Sequence, residues 1–269
     1  PVRAIEHGAP VAWSTDSMYI NDFARRKVCG EKLSMVTCYD FWSAQILDQT
    51  DVDTILVGDS LAMVMHGFPS TVHATVDMMA THIAAVRRGA PSKFIVGDMP
   101  FMQARYSQDV ALEGVAQLMR AGSNAVKIEG AAGQLDLMAR IVESGVPVMG
   151  HLGLTPQSVE AFGGHKVQGR AEAAAEQILA DAKALEQAGC FALVLECVPQ
   201  MLGRKISQAL SIPTIGIGAG PFTDGQVLVL QDLLGMQADF KPKFLRHYMA
   251  GHQALTDAVN HFHNDVAEG

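Results

Sequence analysis

Short apolar runs recur along the chain, each followed by a polar or glycine-rich turn and, in most cases, by a helical stretch. Several runs are continuous in valine, isoleucine and leucine, which is typical of parallel strands buried on both faces. Eight strands are predicted, at residues 33–37, 54–57, 94–97, 125–128, 146–150, 192–195, 214–217 and 227–230. Eight parallel strands with helices between them make a closed barrel, so we predict an α/β protein with a (β/α)8 TIM-barrel fold.

Apolar residues at helical spacing predict six helices between these strands, at residues 41–49, 76–88, 108–120, 134–143, 171–187 and 201–209. Two more helices lie outside the repeat. One, at 18–28, would cover the bottom of the barrel, and the other, at 244–262, would be the last helix. No linker or low-complexity segment divides the chain. We therefore predict one catalytic domain over residues 1–269, with 1–30 as an N-terminal extension.

A doubly wound open sheet also alternates strands with helices and is the main structural alternative. That fold normally carries a G-x-G-x-x-G turn after its first strand. Here the first predicted strand continues into Thr37-Cys38-Tyr39-Asp40 instead. The barrel is therefore favoured.

Composition excludes several classes of function. The net charge of −8 and the absence of a basic stripe argue against a nucleic-acid partner. The apolar runs are shorter than the ~20 residues of a membrane span, and the first twelve residues lack the pattern of a secretory signal. The four cysteines form no C-x-x-C pair, which favours reduced thiols in a cytoplasmic protein.

Acidic residues stand at the carboxyl ends of successive predicted strands. Asp59, Asp98 and Glu129 interrupt otherwise apolar runs, and burying them would be costly unless they were paired or bound to a metal. A barrel brings its strand ends together, so we expect these carboxylates to form one cluster. Magnesium prefers oxygen ligands and would relieve their mutual repulsion. Lys127 lies two residues before Glu129 and therefore on the same face of its strand, where it could instead neutralise that carboxylate.

Other polar positions have structural explanations. Asp40 is better explained as a helix N-cap than as a ligand. His151 alone is more often a hydrogen-bonded core histidine than a catalyst, and Glu196 could cap or pair inside the barrel mouth. The run from Gly216 to Gly220 could cradle a phosphate through its backbone amides, but a tight turn is at least as good an explanation. Cys38 and Cys197 have no evident partner base, which argues against a nucleophilic role.

Several stretches of the chain form longer motifs. The longest is Gly150-His151-Leu152-Gly153-Leu154-Thr155-Pro156-Gln157-Ser158. The others are Leu56-Val57-Gly58-Asp59-Ser60, Lys127-Ile128-Glu129-Gly130, Leu195-Glu196-Cys197-Val198-Pro199 and residues 86–91, 166–170, 212–220 and 224–229. In their order and spacing over roughly residues 30–248, these motifs resemble the ketopantoate hydroxymethyltransferase family.

The resemblance implies a reaction and a set of partners. Family members transfer a hydroxymethyl group from 5,10-methylenetetrahydrofolate, as co-substrate, to 3-methyl-2-oxobutanoate through an enolate. The product is ketopantoate, which feeds pantothenate and coenzyme A synthesis. The resemblance also implies a Mg²⁺-dependent, cytoplasmic homo-oligomer, commonly a decamer.

The resemblance also assigns roles to residues. It implies that Asp59 and Asp98 bind the metal, with Glu129 as a direct or water-mediated ligand. Asp59, Ser60, Asp98 and Lys127 would contact the oxo acid, and Glu196 would be the proton acceptor. We expect His151 to bind and orient the substrate or to relay protons.

Two alternatives remain open. The first is another barrel enzyme acting on phosphoenolpyruvate, oxaloacetate or a 2-methylisocitrate-like acid, which would not be expected to carry the 150–158 and 195–199 motifs in this form. The second is a catalytically silent barrel that binds a small acid or serves as a scaffold. The presence of Asp59, Asp98, Lys127, Glu129 and Glu196 together argues against the second.

Overall fold

A computed structural model describes residues 18–237 and 241–269 of the chain. Eight strands, all parallel, close into a barrel in sequence order, and the last pairs with the first. The strands are β1 (Leu33–Thr37), β2 (Thr54–Val57), β3 (Phe94–Asp98), β4 (Ala125–Glu129), β5 (Val148–Gly153), β6 (Ala192–Glu196), β7 (Thr214–Ile217) and β8 (Gly225–Leu228). The predicted TIM barrel is confirmed.

Ten α-helices surround or flank this barrel in the described residues. They are α1 (Ile20–Cys29), α2 (Phe41–Asp48), α3 (Leu61–Val64), α4 (Val76–Gly89), α5 (Gln108–Ala121), α6 (Leu135–Glu143), α7 (Glu172–Gln187), α8 (Gln200–Ala209), α9 (Leu230–Leu233) and α10 (Gly251–Glu268). All six helices predicted between strands are present, with ends that differ by one residue at most. None of the helices in the described residues has the length and apolar character needed to span a membrane.

Helix α1 closes the amino-terminal end of the barrel, as predicted. The ring of Phe23 is fully buried and makes edge contacts with Phe94 and Phe191, at centroid distances of 5.1 and 5.0 Å. The Nζ atom of Lys27 pairs with Asp224 at 2.9 Å. With the bottom closed, the barrel interior can open only at its carboxyl end. The part of the predicted N-terminal extension before residue 18 lies outside the described residues.

Two strands were predicted with both ends wrong by two residues or more. The predicted fifth strand, 146–150, begins after Pro147 and continues to Gly153, because its ladder runs on to pair His151 with Glu129 and Gly153 with Glu196. Strand β8 lies two residues earlier than predicted. Gly225 pairs with both neighbouring strands. His151 is therefore a strand residue and not part of the following loop.

The predicted helix at 244–262 is also misplaced, because α10 begins only at Gly251. The residues just before it are hydrogen-bonded to the end of α9. Tyr248 donates its backbone N–H to Leu233, and Gly251 donates to Leu234. These tertiary hydrogen bonds occupy donors that a helix starting at Phe244 would have used.

Candidate active site

A cavity of about 120 Å³ opens at the carboxyl ends of the strands. Drug-sized and cofactor ligands usually occupy about 300–1,000 Å³, so this space suits a small organic acid. Polar side chains at the ends of β1 to β6 line it, against a wall of apolar residues from β6 to β8. Its polar lining consists of Thr37, Asp59, Ser60, Asp98, Lys127, Glu129, His151 and Glu196. Every site residue predicted from the sequence is thus brought to one cavity.

Asp59 and Asp98 form the most buried acidic pair in this cavity. Asp59 follows β2, Asp98 ends β3, and each is only 3% exposed. The backbone N–H of Asp59 donates to Asp98 Oδ2 at 3.1 Å, which fixes the two side chains relative to each other. Burial raises the pKa of Asp59, and the negative charges of Asp98 and Glu129 raise it further. Burial likewise raises the pKa of Asp98, although Lys127 opposes this. The positive charge near these two carboxylates is therefore too small to offset their burial and mutual repulsion.

Lys127 is the buried cation among these acids. Its Nζ lies 3.2 Å from Asp98 Oδ1 and 3.9 Å from Glu129 Oε1. Burial alone would lower the pKa of Lys127, but the charges of Asp98, Glu129 and Asp59 outweigh it and raise the pKa. The lysine consequently stays charged, and its nearer partner is Asp98, not the Glu129 expected from strand periodicity alone.

His151 connects this cluster to Glu196. Its Nδ1 lies 3.1 Å from Lys127 Nζ and 3.4 Å from Glu129 Oε1. Its Nε2 lies 3.2 Å from Glu196 Oε2, a close charge contact whose angle falls short of a hydrogen bond. Burial and Lys127 lower the pKa of His151, but the two glutamates outweigh them and raise it. The ring is fully buried, as expected of a core histidine. It also lines the cavity, as expected of a site residue.

Glu129 and Glu196 differ in their surroundings. Burial would raise the pKa of Glu129, but the close contact with His151, the positive charge of Lys127 and the backbone N–H of Gln157 together lower it. Its side chain is 5% exposed, whereas that of Glu196 is 20% exposed. Glu196 is therefore the acid in the cavity with the freest access to an incoming ligand.

The backbone around Glu196 is held in place from both sides. Gly153 has φ +96° on the neighbouring strand, and a Cβ there would lie 2.1 Å from the Glu196 carbonyl oxygen. Only glycine fits at this position. On the other side, Cys197 adopts a left-handed φ of +47°, which is strained for a residue with a side chain. Strain of this kind persists only where the surrounding structure fixes the backbone, and here that backbone lies beside the Glu196 carboxylate.

Cys197 itself is not a reactive thiol. Burial, reinforced by the negative charge of Glu196, raises the pKa of Cys197 to about 11. The thiolate is the nucleophilic form, and at this pKa almost none of it is present near neutral pH. All four cysteines are free. The prediction that Cys197 is not a nucleophile is consistent with this environment.

The acidic pair fits a magnesium ion on its donor chemistry. Asp98 Oδ1 and Glu129 Oε1 are buried and make no well-aligned hydrogen bond in the described residues, although Lys127 Nζ lies 3.2 and 3.9 Å from them. Within the same residues, no three His, Cys, Asp or Glu side chains come close enough to form a complete metal cage. Mg²⁺ commonly takes one or two carboxylates and fills its other positions with water and substrate oxygens. Asp59 and Asp98 can supply that pair, with Glu129 beside them.

Sequence reasoning missed two residues that support the site. Tyr39 is fully buried after β1, and its hydroxyl lies 2.7 Å from Ser60 Oγ, which fixes that predicted substrate contact. Gln157 donates a hydrogen bond to Asp59. A neutral amide and a phenol carry no charge that would mark them in a sequence. Gln157 did lie inside the longest family motif, which was the one available indication.

The remaining candidates lie elsewhere. Asp40 caps α2 by accepting from the backbone N–H of Ser43, as predicted. Asp232, which the predicted eighth strand led into, lies in α9 and does not line the cavity. Gly218 and Gly220 have positive φ in the turn that joins β7 directly to β8, which agrees with the tight-turn alternative.

Solved structures with a similar fold include enzymes named for small organic acids, one of them in complex with oxalate and Mg²⁺. A phosphonopyruvate hydrolase in complex with oxalate and Mg²⁺ superposes with a TM-score of 0.62 at 11% identity, covering 93% of this chain and 88% of its own. A 2,3-dimethylmalate lyase of the PEP mutase/isocitrate lyase superfamily has a TM-score of 0.58 at 15% identity, covering 78% and 80%. At these identities the similarity shows the fold alone.

Sequence relatives are far closer. A 3-methyl-2-oxobutanoate hydroxymethyltransferase of Coxiella burnetii (strain CbuG_Q212) is 55% identical over 251 residues, which cover 93% of this chain and 94% of the relative. One from Francisella tularensis subsp. tularensis (strain WY96-3418) is 54% identical, covering 88% and 90%. The family model for ketopantoate hydroxymethyltransferase matches residues 17–269. This chain belongs to the ketopantoate hydroxymethyltransferase family.

Proposed function

We propose that this enzyme transfers a hydroxymethyl group from 5,10-methylenetetrahydrofolate to 3-methyl-2-oxobutanoate and so makes ketopantoate for pantothenate and coenzyme A synthesis. One observation carries the proposal: a cavity sized for a small acid holds a buried lysine among three carboxylates, with a fourth, more accessible carboxylate at its side. Relatives more than half identical bear the name of this activity.

The substrate would be bound through its oxygens. Asp59 and Asp98 would hold Mg²⁺, with Glu129 beside it. When bound, the ion supplies a Lewis acid for the 2-oxo and carboxylate oxygens of the substrate. Lys127 adds a fixed positive charge in a buried position, where it stabilises negative charge more strongly than in water. Ser60, held by Tyr39, can donate to the same acid.

Glu196 would act as the proton acceptor. The C3–H bond of the substrate breaks, the proton goes to the Glu196 carboxylate, and the electron pair delocalises onto the 2-oxo group as an enolate. The enolate C3 then forms a bond with the methylene carbon of the folate as the bond from that carbon to N10 breaks. Water displaces N5 from the same carbon and becomes the hydroxyl group. Tetrahydrofolate leaves with two protons on its nitrogens, one from Glu196 and one from the water. The folate is too large for a cavity of about 120 Å³ and must reach it through the open end.

The closest alternative is an enzyme of the phosphonopyruvate hydrolase or dimethylmalate lyase type. It would share the fold and a metal-bound acid, but its similarity to this chain is limited to 11–15% identity. The sequence relatives favour the transferase by a wide margin. A catalytically silent barrel is disfavoured because burying Lys127, Asp98 and Glu129 together carries a desolvation penalty, and such a barrel would have no function that requires these charges.

Exchange of the substrate C3 hydrogen with solvent tests the proposal. We expect the wild-type protein, in deuterated water with Mg²⁺, to exchange this hydrogen in 3-methyl-2-oxobutanoate without any folate, because proton removal precedes carbon transfer. Proton NMR of the two methyl groups follows the reaction, since their splitting by the C3 hydrogen disappears. Chelation of the metal should stop the exchange. Absence of exchange in the metal-loaded wild type would contradict this mechanism.

We also propose that the enzyme is a homo-oligomer, for which the family resemblance implies a decamer. The support is an exposed apolar face on α10. Only Gly251 of this helix is buried. The apolar face repeats at spacings of four, three and four residues and consists of Leu255, Val259, Phe262 and Val266, each more than half exposed. An unpaired face of this kind marks a protein–protein contact.

A charge on that face should weaken assembly. We expect Phe262→Glu to lower the mass measured by light scattering after gel filtration, because a glutamate would be buried without a partner. Asn264→Glu places the same charge on the opposite, polar face of α10 and is the matched control. A wild type that elutes as a monomer, or a Phe262→Glu variant of unchanged mass, would contradict the proposal.

A further inference from the structure

Gln157 lies after the fifth strand but contacts the ends of three earlier ones. It sits in a single 3-10 turn, Pro156–Ser158, that follows β5. Its side-chain Nε2 donates to Asp59 Oδ2 at 2.8 Å and to the carbonyl of Met99 at 2.9 Å. Its backbone N–H donates to Glu129 Oε2 at 3.1 Å. One residue thus links the carboxyl ends of β2, β3 and β4.

All three N–H donors of this residue are used within the site. A primary amide has two donor hydrogens, and one goes to a carboxylate while the other goes to a backbone carbonyl. The main-chain donor goes to a second carboxylate. A glutamine is suited to this position because it supplies hydrogen bonds to two acids without adding charge to a cluster that is already short of positive charge.

These contacts fix one oxygen of each carboxylate. With Oδ2 of Asp59 held by Gln157, the orientation of that carboxylate is set and its other oxygen is left for a ligand. In Glu129, Gln157 holds Oε2, and the buried Oε1 makes only charge contacts with Lys127 and His151, at 3.9 and 3.4 Å. The Met99 contact anchors the amide to the strand end that carries Asp98. Partners of this kind orient metal ligands and influence their affinity.

We propose that Gln157 is a positioning residue that sets Asp59 and Glu129 for the metal and the substrate. It touches no reacting atom and acts through the two carboxylates. The inference rests on the proposed function, since it assigns Gln157 to the same metal and substrate site. It predicts that loss of the amide weakens metal binding more than it lowers the exchange rate at saturating metal.

The test compares two equivalent glutamine-to-methionine substitutions. Gln157→Met keeps the length and approximate volume of the side chain and removes its donors. Gln177→Met is the matched control, because Gln177 on exposed α7 also donates from Nε2 to an aspartate oxygen at 2.8 Å, far from the cavity. Mn²⁺ serves as the probe ion, and the free ion is quantified by electron paramagnetic resonance without substrate.

We expect Gln157→Met to bind Mn²⁺ about 10- to 100-fold more weakly than wild type, the range typical of lost partners of metal ligands. Loss of two partly buried hydrogen bonds should lower the thermal midpoint modestly, so the affinity is measured well below that midpoint. The metal concentration that half-saturates C3 exchange should rise by a similar factor, while the rate at saturating metal is largely recovered. Gln177→Met should match wild type in every measurement.

Equal Mn²⁺ affinity in wild type and Gln157→Met would overturn the inference, as would a lower thermal midpoint with unchanged affinity. Gln157→Asn, which keeps the backbone donor but is too short to reach Asp59, gives a second measurement if the methionine variant fails to fold, and the same weakening is expected. A wild type that binds Mn²⁺ but exchanges no hydrogen would overturn the proposed function instead. The Mn²⁺ comparison would still decide the role of Gln157.

Discussion

Glu196→Gln is expected to slow C3 hydrogen exchange by about 10²- to 10⁴-fold, the usual contribution of a positioned general base. An amide of the same shape cannot accept the proton. Glu196 ends β6, where Gly153 and the left-handed Cys197 fix its backbone. Its side chain is the most accessible of the four acids in the cavity, so removing its charge leaves the buried ion cluster in place.

The substitution separates the base from the metal site. Mn²⁺ affinity should stay at the wild-type value, because Asp59 and Asp98 are unchanged. Glu176→Gln, an exposed position on α7, makes the same chemical change and should leave exchange unaffected. Full exchange by Glu196→Gln would remove this residue from the mechanism and point to another acceptor. The nearest candidate is His151, whose Nε2 lies 3.2 Å from Glu196 Oε2.

The barrel could be predicted because its strands are buried on both faces and therefore appear as continuous apolar runs. Charged residues such as Asp98 and Glu129 interrupt these apolar runs, and they therefore marked the carboxyl end of the barrel. Strand periodicity also put Lys127 and Glu129 on one face correctly. These features depend on local sequence, which is why they could be found without coordinates.

Features that depend on tertiary contacts could not be predicted in this way. β5 extends to Gly153 only because β4 and β6 continue beside it. The start of α10 is set by hydrogen bonds from the preceding segment to Leu233 and Leu234. Periodicity also gave no reason for Lys127 to lie nearer Asp98 than Glu129. In each case the deciding partner lies on another element.

The roles that we propose for the carboxylates rest on how each is surrounded. Asp59 and Asp98 are buried close together with too little positive charge, and a divalent cation would relieve that deficit. Glu129 is already stabilised by His151, Lys127 and Gln157, so it could remain charged beside the proposed metal without being a ligand. Glu196 stands apart from this group on the far side of His151. The position of these acids at strand ends identified the cluster, but only their neighbours distinguish their roles.

Lys127→Met is expected to lower the free energy of unfolding by about 3–5 kcal/mol in metal-free protein and to abolish C3 exchange. Among the buried residues of the described part of the chain, Lys127 is the one lysine or arginine. Removing one partner of a buried ion pair leaves the other charge unpaired, which accounts for the size of the loss. Here the unpaired charges would be Asp98, at 3.2 Å, and Glu129, at 3.9 Å. Denaturant unfolding with a chelator present measures the change.

A second substitution distinguishes charge from packing. If the loss comes from the unpaired carboxylate, Lys127→Met combined with Asp98→Asn should recover a substantial part of the stability, because the buried charge is removed with its partner. If the loss came from packing, the double variant would be no more stable than Lys127→Met. Lys205→Met, at an exposed position on α8, should change stability by less than about 0.5 kcal/mol. Neither variant at Lys127 should regain exchange, since the substrate would still lack the fixed positive charge that the proposed reaction requires.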